Sequence, residues 1–498
     1  MTTAVSPQSL ASQAVVLPKN RGVFYGGAWH EPKSGRYVET INPGTGLSLG
    51  KVAESSTADI DAAVASAKSA FKEWRRVLPL ERAKILRRIA ELLRQNANEL
   101  AMIDAADCGN PVREMVSDAL VAAAQMEFFA GFVTEMKGAS IPMGPDVVNF
   151  SVREPLGVVG RIIPFNHPFM FCAGKSAAPL AAGNTVVVKP PEQSPLSSLR
   201  LAELIGGLMP AGVYNVVPGG REAGQRLASH PDVAMIALIG SVPTGRAVMK
   251  AAADTVKRTM LELGGKNALI AFPDAAPDEV AQAVVAGMNF TWCGQSCGST
   301  SRAFIHEKIY DAVVARIKAR ITHFKPGIPT DPKTTMGAIV SKAQFDRVME
   351  FIESAKQEGA QLIAGGGPPS DPALAKGFYI EPTVFAVTPK NRIAREEIFG
   401  PVLGVFKWSD ERKMLDEVNA VEYGLSASIW SNDLSTAHRT AMAVEAGYVW
   451  INEVGKHFLG APFGGFKQSG LGREECFEEM LSFTQEKNIH IRLKPAKA

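Results

Sequence analysis

Apolar positions in the first part of the chain recur at helical spacing. Ile60, Val64, Ala67, Phe71 and Trp74 fall three or four residues apart, behind a Ser56 or Thr57 able to cap the first turn, and the same texture continues over 79–106. Such stripes are the buried faces of amphipathic helices. Near residue 156 the pattern changes. Short β-branched runs at 158–163 (VVGRII), 184–189 (NTVVVK), 213–217 (VYNVV), 234–239 (AMIALI) and 267–272 (NALIAF) alternate with helix-length segments, with Gly and Pro at their ends. Continuous apolar strands separated by helices predict a parallel sheet covered on both faces, a doubly wound α/β domain.

A second strand and helix pattern occupies roughly 265–468, with runs at 303–307, 351–360, 401–408 and 426–430, and it ends in the glycine-rich PFGGFKQSGLGRE of 462–474. It predicts a second α/β domain. Two alternating stretches, 148–155 and 482–493, stand outside both series. Late strands of this kind often pair between subunits, so a homodimer or homotetramer is expected.

Composition narrows the setting. A chain of 498 residues exceeds what one hydrophobic core supports. It is 46% hydrophobic and 21% charged, with a net charge of +3 and both signs interspersed, which gives no case for nucleic acid or an anionic membrane surface. No apolar run reaches the roughly 18 residues that a membrane span needs. The first twenty residues lack a basic n-region and a continuous apolar core, so they do not read as a secretory signal. Five widely spread cysteines, an odd number, argue for a reducing compartment, by default the cytoplasm.

Ligands of doubly wound sheets bind beyond the carboxyl ends of strands, where the chain reads PFNHP (164–168), KPPEQSP (189–195) and GSVPTG (240–245). Gly240 permits close backbone approach, and Ser241 opens a helix-like stretch where it can donate to a phosphate, although a bare GSxxxG is more often a plain helix entry. Glu192 can accept from a ribose hydroxyl, although an acidic loop residue more often faces water. Asn166, stiffened by Pro164 and Pro168, suits an oxyanion hole, although Asn in a turn is usually turn chemistry. Cys297 lies in WCGQSCGSTSR, between Gly294 and Gly298, and follows Glu262 in LELGGK. A thiol and a carboxylate can divide covalent catalysis, one attacking and the other activating water, whereas a buried inert cysteine is the commoner alternative. A zinc site on Cys293 and Cys297 lacks a second ligand pair, and no metal is expected.

The order and spacing of PFNHP, KPPEQSP, LIGSVPTG, LELGGK, GQSC, EEIFGPV and PFGGFKQSGLGRE, from about residue 20 to 493, resemble the NAD(P)-dependent aldehyde dehydrogenases. The resemblance implies a doubly wound dinucleotide-binding domain (1–132 and 156–264), a catalytic domain (265–468) and oligomerisation strands (133–155 and 482–498). It implies attack by Cys297 on an aldehyde, an oxyanion held by Asn166 and the Cys297 backbone N–H, and thioester hydrolysis through Glu262. Lys175 and Glu474 would form a polar pair near that carboxylate, suited to proton relay or simply structural. Ile163, Lys189, Glu192, Gly240, Ser241, Glu397 and Phe399 would hold the cofactor. An acidic residue at 192 favours NAD over NADP, with Lys189 nearby as a partial offset.

By the same alignment Val121, His167, Met170, Gly174, Ser296, Gly298, His457 and Phe463 line the substrate tunnel. Gly174 and His167 stand where aromatic residues are frequent, which predicts a wide, less apolar tunnel. His167, His457 and Lys456 could receive a polar or carboxylated semialdehyde, and an aromatic aldehyde would also fit. Three departures touch the pocket or the cofactor edge: a short glycine loop at 217–224, Ser299 and Thr300 after the cysteine, and Phe165 in the oxyanion loop. The competing functions are a CoA-acylating dehydrogenase and a catalytically silent cofactor-binding homologue.

Overall fold

The computed structural model describes residues 14–494. The N-terminal reading over 1–13 and the last residues of the 482–498 extension lie outside the described residues. The first sheet runs in the order Ala28–His30, Val23–Tyr25, Tyr214–Val216, Thr185–Lys189, Val158–Ile162, Val233–Ile239, Arg258–Glu262 and Gly470–Leu471. Its five middle strands are parallel, and both edges are closed by antiparallel partners. The central strands Val158–Ile162, Thr185–Lys189 and Val233–Ile239 are buried almost throughout, as their largely apolar runs require.

Chain order reverses between Val158–Ile162 and Val233–Ile239, two neighbours whose connections leave in opposite directions. The crevice beyond their carboxyl ends is therefore the expected ligand position. Among the five parallel strands of this sheet, one escaped the pattern reading. Arg258–Glu262 opens on partly exposed polar residues and only then turns apolar, yet it carries Glu262 at its end. The run at 267–272 belongs elsewhere: Ala268–Ala271 pairs in parallel with Arg302–His306 and Ser426–Trp430 in the second sheet.

That second sheet has the order Gln361–Ala364, Thr383–Ala386, Val402–Trp408, Arg302–His306, Ala268–Ala271, Ser426–Trp430 and Tyr448–Ile451, antiparallel only at its first pair. A small third sheet pairs Thr484–Arg492 with Val147–Pro155 along their whole lengths, and Val147–Pro155 with Ser140–Ile141. The N-terminal part is not purely helical. Two hairpins precede the first long helix, Val23–Tyr25 with Ala28–His30 and Tyr37–Ile41 with Ser48–Ala53. The helices that follow are Thr57–Trp74, Pro79–Gln95, Ala97–Cys108 and Val112–Gly131. Ser56 caps the first through a reciprocal pairing with Asp59.

Candidate active site

Glu262 ends an interior strand, and the chain turns through Gly264 and Gly265 into the second sheet. These glycines are required by contact. A Cβ on Gly265 would stand 2.5 Å from the Cys297 carbonyl oxygen, and one on Gly264 would overlap the Glu397 carboxylate. Glu397 accepts from the Gly265 N–H at 2.9 Å. Asn267 follows, and its Nδ2 donates to the carbonyl oxygens of Cys297 at 2.7 Å and Ser299 at 3.0 Å. The Cys297 loop is thereby laid on the segment that carries Glu262, and the Cys297 thiol donates to Glu262 Oε1 at 3.1 Å.

Burial acts on both groups. Glu262 is 4% exposed, and burial followed by the nearby Glu474 charge raises its carboxyl to about 7, against the pull of the Cys297 hydrogen bond and Lys175. Burial and the Glu262 carboxylate push the half-buried Cys297 thiol well above its usual range. The Cys297 N–H makes no hydrogen bond among the described residues. Asn166 is 5% exposed, and its Oδ1 is buried without a partner. Its backbone oxygen accepts from Asn110 Nδ2 at 2.6 Å, which fixes the loop.

Lys175 and Glu474 meet at 3.0 Å within a larger buried ion cluster. Arg161 approaches Glu474 at 3.4 Å, Lys175 also reaches Glu475 at 3.4 Å, and Glu475 accepts from His457 Nδ1 at 3.0 Å. Burial would raise Glu475, but Lys175 and His457 hold it down at about 2. Glu475 is a member that motif reasoning missed; it follows the glycine-rich segment directly and has a φ of 65°.

A cavity of about 870 Å³ opens at the strand-order reversal, lined by Ile163, Phe165, Lys189, Glu192, Gly220 and Thr244 among others. Apolar walls with a carboxylate and an ammonium at one end suit an adenosine moiety. Gly220 leaves room for Glu192, whose Oε2 would lie 2.6 Å from a Cβ there. Burial lowers Lys189 to about 8, and its ammonium donates to the Pro190 carbonyl at 2.8 Å. Gly240 and Ser241 lead into this wall. Ser241 caps the helix Val242–Ala253 through Thr244 N–H. Glu397 and Phe399 lie apart from the cavity, sharing a small cleft with Gly265 and Ser296 beside the cysteine loop. Phe399 has a φ of 57°, and its ring stands edge-on to Phe165 at 5.6 Å, which links the two sites.

The expected tunnel residues fare unevenly. Phe463 is buried, Met170 is partly buried, and Ser296 and Gly298 flank the thiol. Val121 is 42% exposed on the helix Val112–Gly131. The width expected at Gly174 is absent, because a Cβ there would overlap the side-chain carbonyl of Gln125, which fills the place of a larger residue. His167 is buried with Nδ1 2.7 Å from Asp118, and its ring stands edge-on to Trp292. Of the two glycines beside the cysteines, Gly298 would bring a Cβ only into ordinary contact with the Ser296 hydroxyl, at 3.8 Å. Gly294, with a φ of 64°, packs on the Gly400 carbonyl, so it serves a backbone contact within the fold.

The sequence matches the aldehyde dehydrogenase family over residues 29–489. The chain belongs to that family. It is 50% identical over 486 residues to aldehyde dehydrogenase tropH of Talaromyces stipitatus, covering 96% of this chain and 94% of the relative. The fold matches an NAD+ complex of an aldehyde dehydrogenase from Bacillus cereus with a TM-score of 0.92, at 36% identity over 98% of this chain and 99% of that one. A mutant indole-3-acetaldehyde dehydrogenase of P. syringae, solved with NAD+ and IAA, matches with a TM-score of 0.93, at 36% identity over 98% of both chains. The protein is an NAD-dependent aldehyde dehydrogenase acting on small-molecule aldehydes. Among the described residues no helix is long and apolar enough to cross a membrane.

Proposed function

We propose that this enzyme oxidises aldehydes to carboxylic acids through a covalent thioester on Cys297. The contact between Cys297 and Glu262 carries this reading, since it puts a base beside the nucleophile. Glu262 removes the thiol proton as sulfur attacks the carbonyl carbon. The Asn166 carboxamide and the free Cys297 N–H receive the oxyanion of the thiohemiacetal. NAD+, when bound, supplies the hydride acceptor. Once that first proton has passed from Glu262 to solvent, the re-ionised carboxylate takes a proton from the water that cleaves the thioester, and the ion cluster of Lys175, Glu474 and Glu475 tunes it. Lys189 and Glu192 would hold the adenosine ribose, Ser241 the pyrophosphate, and Glu397 with Phe399 the nicotinamide end. A base at Glu262 favours water over CoA as the acceptor.

An aromatic substrate is favoured over a carboxylated one. Each basic side chain that could meet a substrate carboxylate already has an acidic partner: His167 has Asp118, His457 has Glu475, and Lys456 has Glu453 at 2.8 Å. The P. syringae relative is itself named for an aromatic aldehyde. We also infer dinucleotide-binding and catalytic units at the boundaries expected above, and a homodimer or homotetramer formed through the small third sheet. Exposed Ile141, Val148 and Ile491 give that sheet an apolar surface. Free thiols at all five cysteines fit a cytoplasmic setting.

The test is to incubate Glu262→Gln with aldehyde and NAD+ and measure intact mass. One acyl group on Cys297, formed more slowly than in the wild type because Gln cannot take the thiol proton, with one NADH released per site and little further turnover, is expected. Undiminished steady turnover would sink the assignment, and dependence of turnover on added CoA would establish the acylating alternative.

A further inference from the structure

Three neighbouring parallel strands of the second sheet, Ala268–Ala271, Arg302–His306 and Ser426–Trp430, begin side by side, with Ala268 opposite both Arg302 and Ala427. At their amino ends lie Lys266, Arg302 and Ser426, and all three line one small cavity. Its volume of about 10 Å³ is room for one water-sized body. Among the lining residues the one carboxylate is that of the exposed Glu445, and Lys467 already engages it.

Two cations therefore meet at this cavity without a counter-ion. Lys266 is 1% exposed and Arg302 3%, and neither joins an ion pair among the described residues. Arg302 spends three of its N–H groups on main-chain oxygens, Nε on Lys266 at 2.8 Å, Nη1 on Glu417 at 3.2 Å and Nη2 on Val418 at 3.0 Å, which leaves two of the guanidinium's five donors over. The Lys266 ammonium makes no hydrogen bond, and among the described residues it is the one lysine nitrogen buried in that state. The Ser426 hydroxyl is buried without a partner as well.

Buried donors are rarely left unpaired, so an orphaned ammonium and an orphaned hydroxyl on one cavity call for an acceptor. The guanidinium beside them favours an acceptor that carries negative charge. Burial and then the Arg302 charge lower Lys266 to about 7, against the pull of Glu397 and Glu396, and burial lowers Arg302 to about 9 with Glu417 opposing. An anion between them relieves both. The space decides its class: a monatomic ion fits, whereas phosphate, sulfate or a carboxylate does not.

We propose that Lys266, Arg302 and Ser426 form a binding site for a single halide ion, with chloride as the natural occupant. Lys266 lies between Gly265, whose N–H holds Glu397, and Asn267, whose side chain holds the Cys297 loop, so the ion braces the turn on which both depend. The site is structural and stands apart from the chemistry proposed for Cys297.

Crystals soaked in sodium bromide, with diffraction measured at the bromine absorption edge, test the site directly. A bromide peak in the cavity is expected in the wild type and its loss in Lys266→Met, while bromides on the surface persist in both. In solution, melts in sodium chloride and in sodium gluconate at equal ionic strength give a difference for each protein. That difference should favour chloride more in the wild type than in Lys266→Met by about 2 °C or more, a comparison in which general salt effects cancel. If Lys266→Met does not fold, Ser426→Ala should lower the bromide occupancy at a fixed concentration by at least about half. A cavity that holds only water in bromide, a peak that keeps full occupancy in the variants, or a chloride effect equal in both proteins overturns the proposal.

Discussion

The Cys297 thiol donates its hydrogen bond to Glu262 Oε1 at 3.1 Å, so the proposed nucleophile and the proposed base share one proton in a buried setting. The arrangement works as a base only when Glu262 is ionised. With its carboxyl near 7, the rate of thioester hydrolysis should rise with pH, reach half its plateau near 7 and level off above 8. Glu474 is the neighbour that raises Glu262 most after burial itself. Glu474→Gln should therefore move this limb below 7, read from single-turnover acid release across pH 5.5 to 9. A limb that stays in place would mean the Glu474 charge does not reach Glu262.

The same carboxyl makes stability depend on pH. Its folded value of about 7 lies above its ordinary 4.5, so the folded state holds the proton more tightly. That contribution is complete below about 4.5 and is lost as pH rises through 7. Gln at 262 has no proton to lose. Glu262→Gln should thus gain stability relative to wild type between pH 5 and 8, by as much as about 3 kcal/mol, while losing turnover by roughly 10²–10⁴. Denaturant melts of both proteins at the two pH values check the first, and steady-state assays the second. A gap that shrinks with rising pH contradicts the sign.

Much of this architecture is legible in sequence, and what is not has a physical cause. Four of the five runs named from 158 onward fall in the first sheet, because strands buried on both faces must be continuously apolar. The fifth reads the same way but lies in the second sheet, since an apolar run says that a strand is buried and nothing about which sheet buries it. The Tyr37–Ile41 and Ser48–Ala53 hairpin is half exposed and short, so its signal is weak. Cys297 and Glu262 stand out through their motifs. Asn110, Asp118, Gln125 and Asn267 do not, because each acts through a partner distant in sequence. Asp118 looks like a solvated helix position until His167 folds against it.

Asn110 illustrates that hidden class. It precedes the helix Val112–Gly131 and donates to the Asn166 backbone oxygen at 2.6 Å, holding the loop that aims the Asn166 carboxamide. Asn166→Ala removes one oxyanion donor and should lower kcat by roughly 10²–10³. Asn110→Ala leaves the donor in place but frees its loop, and a smaller loss of about tenfold in kcat is expected, with NAD+ affinity unchanged because Asn110 does not line the cofactor cavity. An Asn110 variant as impaired as Asn166→Ala, or one that loses NAD+ binding by fluorescence titration, would show a wider collapse of the loop.

Cofactor choice should turn on Glu192. Its carboxylate lines the cavity near Lys189 and occupies the space that Gly220 leaves open. A ribose hydroxyl can donate to that carboxylate, whereas a 2′-phosphate would be repelled by it and crowded by the adjoining backbone. Lys189 offers little compensation, because burial has lowered it to about 8 and its ammonium is already engaged with the Pro190 carbonyl. Glu192→Ser should therefore weaken NAD+ and admit NADP+, lowering the NAD+ to NADP+ ratio of kcat/KM by at least about tenfold. The change should appear in KM for the cofactor and leave the burst amplitude intact, since Glu192 lines the large cavity and not the small cleft that holds Glu397 and Ser296. An unaltered ratio would place the ribose elsewhere in the crevice.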